Sequence, residues 1–91
     1  MFKTLEELIA VIRQRKKSSI QESYTHKVLN NKKLSVEKIK EEIAELIDAI
    51  EKNTNKVHEA ADVLYHLMVL LEANGIKIED VMEELKKRQK K

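Results

Sequence analysis

Residues 57–71 read VHEAADVLYHLMVLL, and the spacing of the apolar residues in this stretch decides the fold. Apolar side chains recur every three or four residues, which predicts an α-helix with one face on a core. They are Val57, Ala60, Ala61, Leu64, Leu67, Met68 and Leu71. Glu59 and Asp62 stand three residues apart on another side of this helix, with His66 one turn further on. The helix therefore carries two acids that its apolar surroundings do not explain.

The second half of this helix is apolar on nearly every side, because Val63, Val69 and Leu70 fall outside the main stripe. A helix that is apolar all round is buried on several sides. The chain of 91 residues makes a single domain, residues 1–91, and a domain this short buries a modest fraction of its surface. We therefore predict a homodimer that completes the core.

The remaining sequence predicts further helices on both sides of residues 56–73. The first begins near Thr4, where TLEE supplies a capping box, and YTHKVL (24–29) forms a helical turn. The next spans 36–52 with Ser35 as its N-cap, and the last spans 78–89. Gly75 ends the helix at 56–73 in a left-handed conformation. One Gly and no Pro in the whole chain favour long helices, so the predicted fold is an all-α bundle of four to five helices.

The helix at 36–52 repeats the acidic pattern. Its predicted apolar stripe comprises Val36, Ile39, Ile43, Leu46, Ile47 and Ile50. Glu42 and Glu45 lie on an adjoining flank, three residues apart like Glu59 and Asp62. The short connection between the two helices makes them antiparallel neighbours. The two acidic pairs should then lie at a comparable depth, near the connecting end of the hairpin.

Four carboxylates beside a core repel one another and have raised pKa values, unless a cation binds between them. Oxygen ligands select hard ions, so the pattern predicts Mg²⁺, with Mn²⁺ as an alternative, and Mg²⁺ commonly binds together with phosphate groups. The same spacing also fits ordinary glutamates on a helix surface. His66 fits either a hydrogen-bonded packing residue or a group that contacts a ligand or orients a carboxylate.

Composition narrows the class of protein further. Residues 1–33 and 86–91 carry net positive charge, whereas residues 34–85 are strongly acidic. A nucleic-acid-binding protein more often shows one dominant basic face, so we expect no nucleic-acid partner. There is no cysteine, which is consistent with a reducing compartment. The N-terminal stretch has no apolar run long enough for a signal peptide or membrane span, so we expect a soluble cytoplasmic protein with no membrane partner.

Three stretches together resemble a known family. SYTHKVL (23–29), KIKEEIAEL (38–46) and EAADVLYHLMVLLEANGIKIEDVMEELKKR (59–88) are similar to phosphoribosyl-ATP pyrophosphohydrolases, which belong to the MazG-type all-α nucleotide pyrophosphohydrolases. The resemblance implies hydrolysis of 1-(5-phosphoribosyl)-ATP to 1-(5-phosphoribosyl)-AMP and pyrophosphate, the second step of histidine biosynthesis. It also implies functional coupling to the phosphoribosyl-AMP cyclohydrolase that acts next.

Roles for individual residues follow from the same resemblance. It makes Glu42, Glu45, Glu59 and Asp62 the metal ligands, and Glu41 or Glu42 the group that accepts a proton from water. It implies contacts to the nucleotide substrate for six residues: Ser23, Tyr24, Thr25, Lys27, Arg15 and Lys16. His66, on the acidic face of its helix, is a further candidate for contact with the substrate. Two alternatives remain open on the residues alone. One is a MazG-type enzyme acting on another nucleoside triphosphate, and the other is a non-enzymatic helical dimerisation module.

Overall fold

The computed structural model describes residues 2–17 and 24–89, and at residues 24–26 it describes the backbone alone. These ranges form five helices: α1 (Lys3–Lys17), α2 (Tyr24–Leu29), α3 (Lys32–Lys52), α4 (Lys56–Ala73) and α5 (Ile78–Gln89). The described residues contain no strand. The all-α prediction is therefore confirmed, together with the predicted bounds of α4 and α5.

Helix α4 is the centre of the fold, because α1, α2 and α3 all pack against it. Five buried apolar side chains form the core cluster: Ile12, Val28, Leu29, Met68 and Val69. Val69 is 1% exposed, although it lies outside the predicted stripe of α4. Three helices of the same chain thus account for much of the apolar surface of α4. The apolar second half of α4 therefore does not by itself require a partner chain, and the homodimer stays a prediction.

Helix α3 begins earlier than predicted, at Lys32. Asn31 is its N-cap, in an extended conformation, and its side chain accepts a hydrogen bond from the Leu34 amide at 3.1 Å. Ser35 is not the cap, because it lies inside the helix, where its hydroxyl donates to the Lys32 carbonyl at 2.6 Å. Asparagine caps a helix as well as serine does, so the helix gains a turn at its start. Similarly, α1 starts before Thr4, which lies within its first turn.

The face of α3 that packs inside the chain also differs from the predicted stripe. The four buried positions and the half-buried Leu46 repeat at alternating steps of four and three residues: Ser35, Ile39, Glu42, Leu46 and Ala49. Four residues of the predicted stripe are exposed instead: Val36, Ile43, Ile47 and Ile50. The apolar surface of α3 is wider than one packing seam. Its outer part consists of these four exposed residues, which we call the α3 stripe.

The contacts between α3 and α4 show that the two helices are antiparallel, as predicted. Residue numbers rise along α3 as they fall along α4 in three pairs: Ser35 with Asn74, Glu42 with His66, and Glu45 with Glu59. Asn53 and Asn55 both adopt left-handed conformations in the short connection. Asparagine tolerates this region better than most residues do. The connection can therefore reverse the chain within three residues.

Gly75 ends α4 as predicted, with a φ of 71°. The Ile76 amide donates to the Leu71 carbonyl at 2.9 Å, and the Gly75 amide donates to the Glu72 carbonyl at 3.3 Å. These two bonds form a Schellman motif, which satisfies carbonyls at the end of the helix.

No helix of the described residues is both long and apolar enough to cross a bilayer.

Arg13 joins three helices. Its Nε donates to Glu72 of α4 at 2.7 Å, and its terminal nitrogens donate to both carboxylate oxygens of Glu79 in α5, at 2.8 and 2.6 Å. These hydrogen bonds hold the pKa of Glu79 at about 2, below its usual 4.5. No residue of α5 is buried. The two-pronged contact is therefore the main polar attachment of α5 among the described residues.

Replacing Glu79 with Gln should lower the melting temperature at neutral pH, because α5 loses its charged contact with Arg13. A carboxyl group whose pKa is lowered by folding stabilises the protein above its unfolded pKa, and this stabilisation is lost as the pH falls through the folded value. The difference between Glu79→Gln and the wild type should thus be full above about pH 4.5 and disappear near about pH 2. Thermal melts across this range measure it.

Asp80→Asn is the matched control, since Asp80 is the other acid in the first turn of α5. Both substitutions weaken the favourable interaction of an acid with the helix dipole. Only Glu79→Gln removes the contact with Arg13. Equal losses of melting temperature in the two variants would show that the contact with Arg13 contributes nothing.

Candidate metal centre

The antiparallel register brings three of the four predicted metal ligands together. Carboxylate oxygens of Glu42, Glu45 and Glu59 all lie within 4.8 Å of one another. Asp62 lies one turn after Glu59 on α4, and its charge raises the pKa values of Glu42 and Glu59. The two acidic pairs therefore form one continuous cluster across the α3–α4 seam, which we call the acidic cluster (Glu42, Glu45, Glu59 and Asp62).

Glu42 is the most unusual member of the acidic cluster. It occupies a packing position of the α3–α4 seam and is 8% exposed. Its Oε2 atom and the Oε2 atom of Glu59 are buried, and neither has a hydrogen-bond partner among the described residues. A buried carboxylate without a partner costs several kcal/mol, roughly. The two oxygens fit metal ligation, because a cation would give both of them a partner.

The electrostatics of the acidic cluster agree with this fit. Burial raises the pKa of Glu42 above its usual 4.5, and the neighbouring Glu45 raises it further. Burial also raises the pKa of Glu59, with added repulsion from Glu45 and Asp62. The predicted rise in pKa is thus found at two of the four acids. Without a cation, the cluster favours protonation of these groups.

A second group of ligand atoms adjoins the first. His58, Glu59 and Asp62 also place one ligand atom each within 4.8 Å of the others, and His58 Nε2 lies 3.4 Å from Asp62 Oδ2. Glu59 belongs to both groups. The residues around it therefore offer five side chains that are able to ligate, including one imidazole.

His66 packs beside Glu42. Its Nε2 atom lies 3.8 Å from Glu42 Oε1, and both side chains are almost fully buried. The Tyr65 ring meets the imidazole edge-on, with centroids 5.2 Å apart. Burial lowers the pKa of His66, and Lys38 lowers it further. The imidazole is therefore predominantly neutral near pH 7, which is the form that can accept as well as donate a hydrogen bond.

Glu41, the other predicted catalytic acid, points elsewhere. It is exposed, and its Oε2 atom accepts a hydrogen bond from Lys38 Nζ at 3.3 Å. It belongs to neither group of ligand atoms. Lys38 lowers the pKa of both Glu42 and His66. A lysine thus stands at the edge of the acidic cluster and links Glu41 to it.

Among the predicted substrate contacts of the N-terminal third, Lys16 lies away from the acidic cluster. Ser23 is outside the described residues, Tyr24 and Thr25 begin α2, and Lys27 is exposed. Arg15 is exposed near the end of α1. Lys16 donates through Nζ to the Glu72 carbonyl, which is about 15 Å along α4 from Asp62 at 1.5 Å per residue. Their roles in binding substrate stay predictions.

Lys16 instead borders a second, cationic region. A cavity of about 580 Å³ is lined by Arg13, Lys16, Lys17, Asn30, Glu72, Lys77 and Glu79. Glu72 and Glu79 both bind Arg13 there. Two of the seven lining residues are thus acids that neutralise part of the basic charge.

Two residues near the acidic cluster were not singled out from the sequence. Lys38 precedes Glu42 by four residues, and His58 precedes Asp62 by four residues. Residues four apart are neighbours on a helix surface, so this spacing was a usable signal. It was missed because lysine and histidine are common on exposed helix faces.

Individual relatives are similar over nearly the whole chain. A phosphoribosyl-ATP pyrophosphatase from Allorhizobium ampelinum is 42% identical over 88 residues, which cover 93% of this chain and 85% of that protein. The protein of the same name from Pyrobaculum calidifontis is 39% identical and covers 94% and 95%. The histidine biosynthesis bifunctional protein HisIE of Pyrococcus furiosus is 40% identical over 87 residues, and this chain spans 41% of its length.

The family match agrees with the resemblance seen in the sequence. Residues 5–89 match the model of the family described as phosphoribosyl-ATP pyrophosphohydrolase. The match includes all four members of the acidic cluster and the whole of helices α2 to α5. The chain belongs to the phosphoribosyl-ATP pyrophosphohydrolase family.

Proposed function

We propose that this chain hydrolyses the α–β phosphoanhydride of 1-(5-phosphoribosyl)-ATP, giving 1-(5-phosphoribosyl)-AMP and pyrophosphate in the second step of histidine biosynthesis. Family membership supports the reaction, and so do the names of the relatives. The observation that carries the chemistry is the buried Glu42 carboxylate, whose Oε2 atom has no hydrogen-bond partner among the described residues. Cation-assisted attack of water suits both this group and a phosphoanhydride.

The acidic cluster would hold Mg²⁺, with Mn²⁺ as an alternative. Its ligands are all carboxylate oxygens, which these hard cations prefer. When bound, the cation neutralises charge on phosphate oxygens and lowers the pKa of a coordinated water. The register between α3 and α4 fixes the positions of the ligands before any cation binds, so little rearrangement is needed.

Glu41 is better placed than Glu42 to accept the proton of the attacking water. Glu42 is almost fully buried at the α3–α4 seam, whereas the Glu41 side chain is 55% exposed and therefore accessible to water. Lys38 holds Glu41 through a hydrogen bond at 3.3 Å. A base must lie within hydrogen-bonding reach of the proton that it takes, and an exposed carboxylate beside the cluster can meet that condition.

His66 acts in this proposal by orienting Glu42. Its near-complete burial and its distance of 3.8 Å from Glu42 Oε1 favour this role over direct contact with the substrate. Groups behind a metal ligand commonly fix its orientation. Arg15, Lys16 and Lys27, with Ser23, Tyr24 and Thr25, remain the candidates for contacts to the outer phosphates and the ribose.

We also propose that the chain functions as a homodimer through the α3 stripe. Val36, Ile43, Ile47 and Ile50 are all exposed on one side of α3. Contiguous exposed apolar patches on a soluble domain mark interaction sites. The same face on a second copy would cover this patch in a symmetric contact.

Functional coupling to the phosphoribosyl-AMP cyclohydrolase is a further part of the proposal. The Pyrococcus furiosus relative is named a bifunctional protein of histidine biosynthesis, and this chain matches only part of its length. A second activity in the same polypeptide would receive the product released by the first.

Substituting Glu45 with Gln or Asp62 with Asn should lower pyrophosphate release from phosphoribosyl-ATP by more than about a hundredfold. Loss of residues that only support metal ligands already costs about ten- to a hundredfold. Pyrophosphate is measured with phosphoribosyl-ATP and a panel of nucleoside triphosphates, each with Mg²⁺ and with EDTA. Glu51→Gln is the matched control, since Glu51 is exposed on α3 outside the acidic cluster.

Each alternative predicts a different result in this assay. Wild-type rates in both variants would refute the assigned ligands. Pyrophosphate from another triphosphate but not from phosphoribosyl-ATP would refute the substrate. No Mg²⁺-dependent pyrophosphate from any compound would refute the enzymatic proposal and favour a dimerisation module.

Glu42→Gln should stabilise the protein in EDTA. Folding raises the pKa of Glu42 above 4.5, so the ionised group destabilises the fold increasingly as the pH rises through the folded pKa. The gain in melting temperature over the wild type should be absent below about pH 4.5 and grow towards neutral pH. With saturating Mg²⁺ the wild type should instead melt at a higher temperature than Glu42→Gln, because the cation bound at the intact acidic cluster stabilises the wild type. A variant that is less stable than the wild type in EDTA at pH 7 would contradict this account.

Ile47→Asp should convert a dimer to a monomer without unfolding it. Ile47 is 51% exposed within one chain, so an aspartate there is tolerated in the monomer but would be buried without a partner in the dimer. Sedimentation at micromolar concentration measures the change. Ala44→Asp is the control, since Ala44 is an exposed α3 residue outside the stripe. A wild-type monomer would contradict the proposal.

A further inference from the structure

Lys38 is a basic residue to which the proposed reaction gives no role toward the substrate. Its side chain is only 23% exposed, which is low for a lysine, since lysines are seldom buried. Its Nζ atom lies 3.3 Å from Glu41 Oε2. Its charge also reaches two buried side chains, because it lowers the pKa values of Glu42 and His66. A positive charge is therefore held near the carboxylates that would bind the cation.

The contact between Lys38 and Glu41 is loose. Charge-assisted N–H···O bonds are commonly about 2.7–2.9 Å long, whereas this one is 3.3 Å. The two residues stand three apart on α3, and the Glu41 side chain is 55% exposed. Exposed pairs of this kind contribute little to stability, because water screens them. A stronger anionic partner would therefore displace Glu41 from Lys38 at small cost.

A phosphate group that binds together with a cation is such a partner. In the free protein, the carboxylates of the acidic cluster attract Lys38. A cation bound between them would cancel much of that attraction, so the ammonium group could turn to an anion beside the cation. Lysine is a common phosphate ligand. Lys16, another candidate for phosphate contacts, is engaged instead with the Glu72 carbonyl near the other end of α4.

We propose that Lys38 is a catalytic residue, whose ammonium group exchanges Glu41 for an oxygen of the substrate's departing diphosphate and thereby frees Glu41 to accept the proton of the attacking water. The inference deepens the proposed function and rests on it for the reaction. It differs from that proposal in assigning a second role to the contact of 3.3 Å. The contact holds the base while the site is empty and releases it when a phosphate ligand binds.

The exchange fits the movement of charge in the reaction. The water oxygen bonds to the α-phosphorus, and one water proton goes to Glu41. The bond from this phosphorus to the bridging oxygen breaks, and its electron pair remains on the diphosphate. A lysine at the diphosphate stabilises the negative charge that develops there. Lys38 would therefore act at the leaving group and Glu41 at the nucleophile.

Inorganic pyrophosphate with Mg²⁺ is the probe, since it presents the diphosphate without the nucleotide. Calorimetric titration of the purified full chain measures its affinity. In Lys38→Met, which removes the charge at a similar side-chain volume, the affinity should fall at least about tenfold. Lys38→Arg keeps the charge and should retain most of the affinity. In Glu41→Gln the affinity should stay equal or rise, because Lys38 no longer has to leave a carboxylate.

Lys40→Met is the matched control. Lys40 is an exposed lysine two residues from both Lys38 and Glu42. Two residues turn a helix by about 200°, so Lys40 lies on the opposite side of α3, and its loss should leave the affinity for pyrophosphate unchanged. Equal losses of affinity in Lys38→Met and Lys40→Met would reflect net charge alone and would overturn the inference.

A purely structural pair predicts another pattern. Lys38→Met and Glu41→Gln would then lower the melting temperature alike, and neither would change the affinity for pyrophosphate. Unchanged affinity in Lys38→Met overturns the inference, and so does a wild type that does not bind pyrophosphate with Mg²⁺.

Turnover separates this inference from the proposed function. Pyrophosphate release from phosphoribosyl-ATP is measured on the same variants, and Lys38→Met should lower kcat by about a hundredfold. No release by the wild type would count against the proposed reaction, whereas the affinity for pyrophosphate does not depend on turnover. An affinity that depends on Lys38 but not on Lys40 would support the phosphate contact whatever the substrate proves to be.

Discussion

The contact between α3 and α4 is built around a carboxylate. Glu42 takes a seam position that elsewhere along α3 is filled by Ile39, Leu46 or Ala49. An apolar residue there would stabilise the hairpin at no electrostatic cost, whereas the unpartnered carboxylate opposes folding. The other acids compound this cost, because they raise the pKa of Glu42 further. The arrangement becomes favourable when a cation binds, which couples the stability of the hairpin to occupancy of the site.

The position of the cluster along the hairpin limits this cost. Glu59 lies in the first turn of α4, where the positive end of the helix dipole favours a negative charge. Lys38, four residues before Glu42 on α3, lowers the pKa of Glu42. His66 lies beside Glu42, and both side chains are almost fully buried. The cluster is thus supported by a dipole, a lysine and a histidine, which together leave the carboxylates positioned for a cation.

The sequence predicted those features that depend on neighbouring residues. The bounds of α4 and α5 followed from apolar spacing, and the left-handed Gly75 followed from the need to end α4. Ser35 was assigned as a cap wrongly, because Asn31 offers an equivalent side chain one turn earlier. Local preference cannot decide between two good caps, whereas packing of the extra turn can. The buried position of Ser35 against α4 made the longer helix favourable.

The packing face of α3 was harder to predict, since apolar residues cover more than one side of it. Periodicity selected Ile43, Ile47 and Ile50, because they are the larger hydrophobic residues. The structure instead buries Glu42 and Ala49 against α4. The register of α3 depends on its partner α4, which places Glu59 beside Glu45 and His66 beside Glu42. Sequence alone placed Glu42 on a flank, because burial of an acid is unfavourable unless another helix and a cation are considered with it.

The two ends of α4 have different roles in the molecule. Near its C-terminal end, Arg13 and Lys16 of α1 bind Glu72 through its carboxylate and its carbonyl, and Arg13 also holds α5. Each of these charged side chains has a hydrogen-bond partner, so this end stabilises the fold without a ligand. Near its N-terminal end, like charges meet and two buried oxygens have no hydrogen-bond partner among the described residues. The rigid, paired end fixes α4 in place, and this allows the opposite end to hold carboxylates in a repulsive arrangement that only a cation relieves.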